Sequence, residues 1–183
     1  MASFVERMIG AAKLSVPTYE EVENDPGATG QALLVVVLSS LASGVALRGE
    51  GGQGFIAGLI SALAGWVIWA FMTYIIGTRI LRTPETQANL GQLLRTIGFA
   101  QAPGILRVLG FLPFLRWIVL TVTGIWIIAA FVIAVRQALD YRSTGRALLV
   151  CLLGFVFYIV VFGIFMRLLG VAMPGQSELA PGM

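Results

Sequence analysis

The sequence predicts an all-α polytopic membrane protein: a five-helix transmembrane bundle with a short, bent third span, preceded by an N-terminal amphipathic helix in the membrane interface. Three observations lead there. Hydrophobic residues make up 58% of the 183 positions and charged residues 11%, with a mean hydropathy of +0.91, against roughly 45–50% apolar and ~25% charged in a soluble domain. Four charge-free runs have the ~20 residues that a helix needs to cross ~30 Å of hydrocarbon. A fifth apolar stretch, Ile97 to Pro113, is interrupted by Pro103, Arg107 and three glycines.

Taken in order, Ala2 to Leu14 has no uninterrupted apolar core and is not a signal peptide. Phe4, Val5, Met8, Ile9 and Ala12 recur at helical spacing and leave Glu6, Arg7 and Lys13 toward another face. That pattern suits a helix lying in the interface, or one packed on the protein itself. Asn24-Asp25-Pro26-Gly27 then stops any helix and opens the first span, Thr29 to Leu47. The Gly-rich loop 49–54 is a tight connection to the second span, Phe55 to Gly77; no Gly-Lys-Ser/Thr follows it, so it is no phosphate cradle. The remaining secure spans are Trp117 to Val135, between Arg116 and Arg136, and Ala147 to Met166, between Arg146 and Arg167. Arginines bracketing an apolar run are what side chains snorkelling to the two interfaces produce. The expected organisation is an N-terminal segment 1–28, a membrane domain 29–169 and a flexible tail 170–183.

The Ile97 to Pro113 segment decides the topology. Its 17 residues reach about 25 Å as α-helix, and an arginine near a bilayer centre costs about 2.5–3.5 kcal/mol on insertion scales. Both oppose a straight, lipid-exposed span, whereas a bent helix covered by its neighbours tolerates proline and glycine. The distribution of Lys and Arg does not choose between topologies. With five spans and a cytoplasmic N-terminus, Arg7, Lys13, Arg79, Arg82, Arg95, Arg136, Arg142 and Arg146 fall inside, against Arg48, Arg107, Arg116 and Arg167 outside. With four spans, Arg107, Arg116 and Arg167 exchange sides with Arg136, Arg142 and Arg146, and the balance is unchanged. Five spans is the preferred reading, because four would leave the whole apolar stretch Thr83 to Leu115 at the cytoplasmic surface.

Chemistry is sparse. There is no histidine, no Asp or Glu in the four secure spans, and a single cysteine, Cys151, inside an apolar run. The usual transition-metal sites, Ser-His-Asp or Cys-His nucleophile systems and an intramembrane carboxylate relay are thereby excluded. No catalytic activity and no cofactor are expected, and a net charge of +3 gives no nucleic-acid surface. The spans do offer helix packing: Gly54, Gly58 and Ala62 repeat at four-residue spacing, as do Ser61 and Gly65, and small residues let backbones approach in lipid. Trp66, Trp69 and Trp126 lie deep in their spans, where each indole N–H needs a partner from another helix or a subunit. Beside the first span Tyr19 accompanies an acidic group, Glu20, Glu21, Glu23 and Asp25, and the last cytoplasmic loop carries a basic one, Arg136, Arg142 and Arg146. These two groups either meet each other or dock a partner or anionic headgroups.

Three stretches carry a family resemblance. Thr18-Tyr19-Glu20-Glu21-Val22-Glu23-Asn24-Asp25-Pro26, leading into the first span, resembles the start of the membrane domain of the Yip family, the Ypt/Rab-interacting proteins and their prokaryotic relatives. Gly91-Gln92-Leu93-Leu94-Arg95-Thr96-Ile97-Gly98-Phe99-Ala100, with Ala102-Pro103, is similar to the stretch before that domain's third span. Val135-Arg136-Gln137-Ala138-Leu139-Asp140-Tyr141-Arg142-Ser143-Thr144-Gly145-Arg146-Ala147 resembles the connection before its last. The resemblance runs from Phe4 to Leu169 and implies five transmembrane helices with a cytoplasmic N-terminus, in a compact, prokaryotic-type member. Eukaryotic members carry a long N-terminal region with an Asp-Leu-Tyr-Gly-Pro type motif. Here fewer than 30 residues precede the first span and Glu20 follows Tyr19, so Rab binding is not carried over.

The function expected is that of a non-catalytic inner-membrane adaptor or assembly subunit, acting through helix packing and its cytoplasmic loops. Its partners would be the lipid bilayer and other membrane subunits or a second copy of itself. The alternative is a small-solute channel or permease using the broken third helix at Gln101, Pro103, Gly104 and Arg107, since discontinuous helices build transport sites. A lipid or pigment held between helices is a third reading, for which no motif speaks.

Overall fold

The computed structural model describes residues 2–47 and 55–168, and every regular element among them is helical. Gly54 and the tail 170–183 lie outside the described residues. Helix α1, Phe4–Ala12, starts on a capping box in which Ser3 and Glu6 satisfy each other's backbone N–H. Leu14 takes a left-handed φ of 59° and reverses the chain into α2, Val16–Asn24, whose first turn contains Pro17. Four helices are long and apolar enough to cross a membrane: Ala28–Ala46, Ile56–Ile80, Arg116–Ala138 and Thr144–Phe165. They coincide with the four charge-free runs. As elements they are α3, Ala28–Ala46; α4, Phe55–Ile75, widening into a π-turn at Ile76–Ile80; α6, Arg116–Ala138; and α7, Thr144–Leu168.

The interrupted apolar segment is two helices. Helix α5, Leu90–Phe99, begins at a capping box between Asn89 and Gln92. A turn at Ala100 and Gln101 leads to a 3₁₀ helix, Ala102–Phe111, with Pro103 in its first turn, where a missing N–H is harmless. At about 2.0 Å rise per residue a 3₁₀ helix is longer than an α-helix of equal length. The ten residues of the 3₁₀ helix alone extend about 20 Å.

Glycines set the register of this segment. A Cβ on Gly98 would lie 2.8 Å from the Ala32 methyl, one on Gly104 would overlap the Ser39 side chain, and one on Gly110 would lie 3.0 Å from the Ala46 methyl. Numbers rise together on both sides, so α5 and the 3₁₀ helix run parallel to α3 along most of its length. With three residues per 3₁₀ turn, positions six apart stack on one face, which is why Gly104 and Gly110 both meet α3. Helix α6 runs the other way, with Ile127 beside Gly104 and Thr123 bonded to Arg107. Helix α7 opposes α4, with Gly154 beside Thr73 and Ile76 and Tyr158 beside Gly65. Large apolar side chains face outward on all five long segments, among them Leu34, Ile60, Phe111, Ile125 and Val156.

Substituting Val for Gly98 or Gly110 forces a side chain into α3, an overpacking that costs about 1–3 kcal/mol, and should lower the unfolding midpoint in detergent. Gly58 has nothing within 4 Å of an added Cβ, so Gly58→Ala should leave the midpoint unchanged or raise it. Equal behaviour of all three in a thermal melt would contradict the register.

Candidate functional site

The end of the bundle where α3 and α5 begin holds the N-terminal hairpin and most of the titratable groups singled out in the sequence. Arg7 is the key to it. A helical wheel places it outward with Glu6 and Lys13, yet its side chain is only 2% exposed, while Val5 and Ile9 face out. Its Nε and Nη2 donate to Glu21 Oε1 at 3.2 and 2.9 Å, and its Nη1 donates to Asp25 Oδ2 at 2.8 Å and Gln31 Oε1 at 3.2 Å. The Ala2 N–H first, and then Arg7, holds the Glu21 carboxyl below its ordinary pKa; Arg7 does the same for Asp25.

The acidic and basic groups of the sequence are not brought together. Glu20 is exposed and accepts from Gln137 at 3.4 Å. Tyr19 is buried and its hydroxyl donates to the Ala11 carbonyl at 3.1 Å. Arg136 donates to the Tyr141 carbonyl at 3.3 Å, Arg146 lies over the Tyr141 ring, and Arg142 makes a 3.3 Å ion pair with Glu85. That last pair is exposed on both sides and so contributes at most about 1 kcal/mol. Two of the carboxylates, Glu21 and Asp25, go to Arg7 instead, because it is buried, where a guanidinium without acceptors would be far more costly.

Glu23 behaves differently from its neighbours. It is 6% exposed and accepts from Gln92 Nε2 at 2.9 Å. Burial, reinforced by the charge of Asp140 and opposed by that of Arg95, pushes its carboxyl up to about 7. Arg95 bonds the carbonyls of Val22 and Glu23 rather than a carboxylate, capping the last turn of α2.

The packing candidates are distributed through the bundle. Gly65 lies under Tyr158, whose hydroxyl would be 2.8 Å from an added Cβ. The Trp66 indole donates to the Leu94 carbonyl at 3.0 Å and that of Trp126 to the Ala12 carbonyl at 2.7 Å. Trp69 stacks on Phe131, with ring centroids 5.6 Å apart. Ala62 lines a central cavity of about 1060 Å³, as do Gln101 and Arg107. Pro103 and Gly104 are buried against α3 and α6. Arg107 donates to the hydroxyls of Ser43 and Thr123, both at 3.2 Å.

Sequence reasoning passed over Arg7, Gln92, Arg95 and Tyr141. Tyr141 shares its hydroxyl proton between the carbonyls of Gly77 and Leu81, 3.0 and 2.9 Å away. The signal available for such residues is the position of helix ends, since carbonyls that end a helix out of water require a donor. No group of His, Cys, Asp or Glu among the described residues could hold a metal ion.

A family model described as the Yip1 domain matches residues 14–164. No curated protein and no solved structure matches the chain.

The raised Glu23 carboxyl fixes the sign of a pH effect. Its folded value of about 7 lies above the ordinary 4.5, so the fold favours the protonated form. The stability that it contributes is full below about pH 4.5 and is lost as the pH rises to about 7. The melting midpoint should therefore fall between pH 5 and pH 7.5, and Glu23→Gln should flatten that slope; an unchanged slope in the variant would assign the effect to another group.

Proposed function

This chain belongs to the Yip1 domain family, and from that premise we propose that it is a non-catalytic adaptor crossing the membrane five times with its N-terminus in the cytoplasm. The observation that carries the topology is the parallel register of Leu90–Phe111 with α3. A segment running beside a membrane-spanning helix, in the same direction and over most of its length, crosses where that helix crosses. It follows α3 from Ala32 to Ala46, about 21 Å of helix, and its outer face carries Leu106, Val108, Leu109 and Phe111, as lipid demands. Five crossings place α1, α2, the connection 81–89 and the turn 139–143 on one side, together with the larger share of Lys and Arg, which is the cytoplasmic side by the positive-inside rule.

That side presents a rigid platform. Arg7 ties α1 to α2 and α3, and Arg95 ties α2 to α5, while Thr83 bonds Thr86 and Tyr141 bonds the Leu81 carbonyl, so the exposed Glu20, Arg82, Glu85, Arg142 and Arg146 stand on helices and on connections that are themselves hydrogen-bonded. A preorganised charged surface suits docking, because little ordering entropy is lost when a partner binds. The cavity with Gln101 and Arg107 on its wall favours a second reading, a permease built around the broken third segment.

Two experiments separate these readings. With Cys151→Ser as background, Phe114→Cys should label with an impermeant maleimide from outside intact cells and Ser143→Cys should not; the opposite pattern means four spans. Charge reversal at Glu20, Arg142 and Arg146 touches only exposed side chains and should cost no more than about 2 kcal/mol of folding stability while abolishing cross-linking to the native partner. Unchanged cross-linking, together with solute flux in liposomes that depends on Gln101, would replace the adaptor by the permease.

A further inference from the structure

The central cavity is walled by all five long segments: α3, α4, α5 with the 3₁₀ helix, α6 and α7. It opens between helices to the outer face of the bundle, where Ile128, Leu152 and Phe155 of its lining are exposed, and its volume of about 1060 Å³ matches the upper range of small-molecule sites, roughly 300–1,000 Å³. Its wall is mostly apolar, with Trp66, Trp69, Phe131, Phe155 and Tyr158 among the lining residues. A space of that kind holds apolar matter rather than water.

One polar group on the wall calls for a ligand. Arg107 gives N–H bonds to the hydroxyls of Ser43 and Thr123, and no carboxylate pairs with it among the described residues. A charge retained at membrane depth on neutral acceptors alone marks a functional position, and its natural partner is an anion. The guanidinium and the aromatic rings are spaced along the bundle. Ser43 lies three residues before the end of α3, which puts Arg107 about 5 Å in from that end. The lining of α3 then runs back from Leu47 to Val36, about 16 Å of helix, past the aromatic groups.

We propose that this cavity binds one anionic amphiphile, its carboxylate or phosphate on the guanidinium of Arg107 and its apolar chain between Trp69, Phe131 and Phe155. The site is independent of the platform at the other end of the bundle and stands whether or not a protein docks there. An amphiphile of this kind comes either from a membrane phospholipid or from a free fatty acid; both offer an anion at the interface joined to a chain that fills the void.

The test uses the full chain, extracted from native membranes in mild detergent. Native mass spectrometry should find one retained anionic lipid per chain, with occupancy at least tenfold lower in Arg107→Gln and restored in part by Arg107→Lys. Ala62→Phe, which fills the wall and leaves the charge in place, should also empty the site, and a thermal melt of each variant shows that the fold persists. After delipidation, oleate and phosphatidylglycerol in mixed micelles are titrated separately against tryptophan fluorescence. Saturable binding of oleate alone assigns a free fatty acid, of phosphatidylglycerol alone a phospholipid, and of both the shared head chemistry. The proposal is overturned if wild type carries and binds neither, if phosphatidylcholine binds equally well and Arg107→Gln makes no difference, or if binding appears only once residues 169–183 are removed, which would make the chain's own tail the occupant.

Discussion

One backbone can run along another at contact distance only where side chains are missing, and Gly98, Gly104 and Gly110 supply such places at the positions facing Ala32, Ser39 and Ala46. In lipid this approach matters more than in water. Helix association there gains little from hiding apolar surface and relies on close van der Waals packing. The approach also explains the winding. In an α-helix residues six apart lie on different faces, and only the three-residue turn of a 3₁₀ helix brings Gly104 and Gly110 to the same one. Long 3₁₀ helices are disfavoured on their own account; here contacts with both α3 and α6 cover it.

Once that segment is in place, the helices that end near it need donors for their last carbonyls. Four side chains supply them. Tyr19 and Trp126 bond the Ala11 and Ala12 carbonyls at the end of α1, Arg95 those of Val22 and Glu23 at the end of α2, and Tyr141 those of Gly77 and Leu81 around the π-turn. An unpaired carbonyl away from water costs several kcal/mol in lipid. The same residues therefore cap helices and fasten elements: Trp126 holds α1 to α6, Arg95 holds α2 to α5, and Tyr141 holds the end of α6 to that of α4.

How much of this was legible follows from which interactions are local. The four long helices are visible as charge-free runs because length and hydropathy alone decide them. The interruption at Pro103 and Arg107 is visible too, but not its consequence, since 3₁₀ winding depends on what α3 offers opposite each glycine. Gly58 illustrates the converse: it sits in a small-residue repeat and faces open space, because a repeat marks where approach is permitted and not where it occurs. Arg7 misled for a similar reason. Its position on the helical wheel beside Glu6 and Lys13 suggests an outer face, and only the turn at Leu14, with its left-handed φ, folds Glu21 and Asp25 back over it. Pairing between the acidic and basic groups, natural from their net signs, gives way to a buried cation closer to the carboxylates.

Three arginines of the bundle, Arg7, Arg95 and Arg107, differ in what surrounds them, and the difference has physical content. Arg7 lies between two carboxylates and is neutralised. Arg95 and Arg107 sit twelve residues apart on one segment and bond neutral oxygens, carbonyls for the first and hydroxyls for the second. Neutral acceptors satisfy N–H groups without cancelling charge, so each guanidinium keeps a field that acts on whatever lies nearby. At Arg95 the nearby group is Glu23, whose carboxyl burial has pushed up to about 7; the charge of Arg95 restrains that rise, and the two together make the hairpin's attachment sensitive to protons. At Arg107 no such group is present among the described residues, and the field falls on the cavity instead. The segment from Leu90 to Phe111 thus carries an arginine at each end of the bundle for different work, one holding the chain to itself and one directed at a space that the described residues leave open.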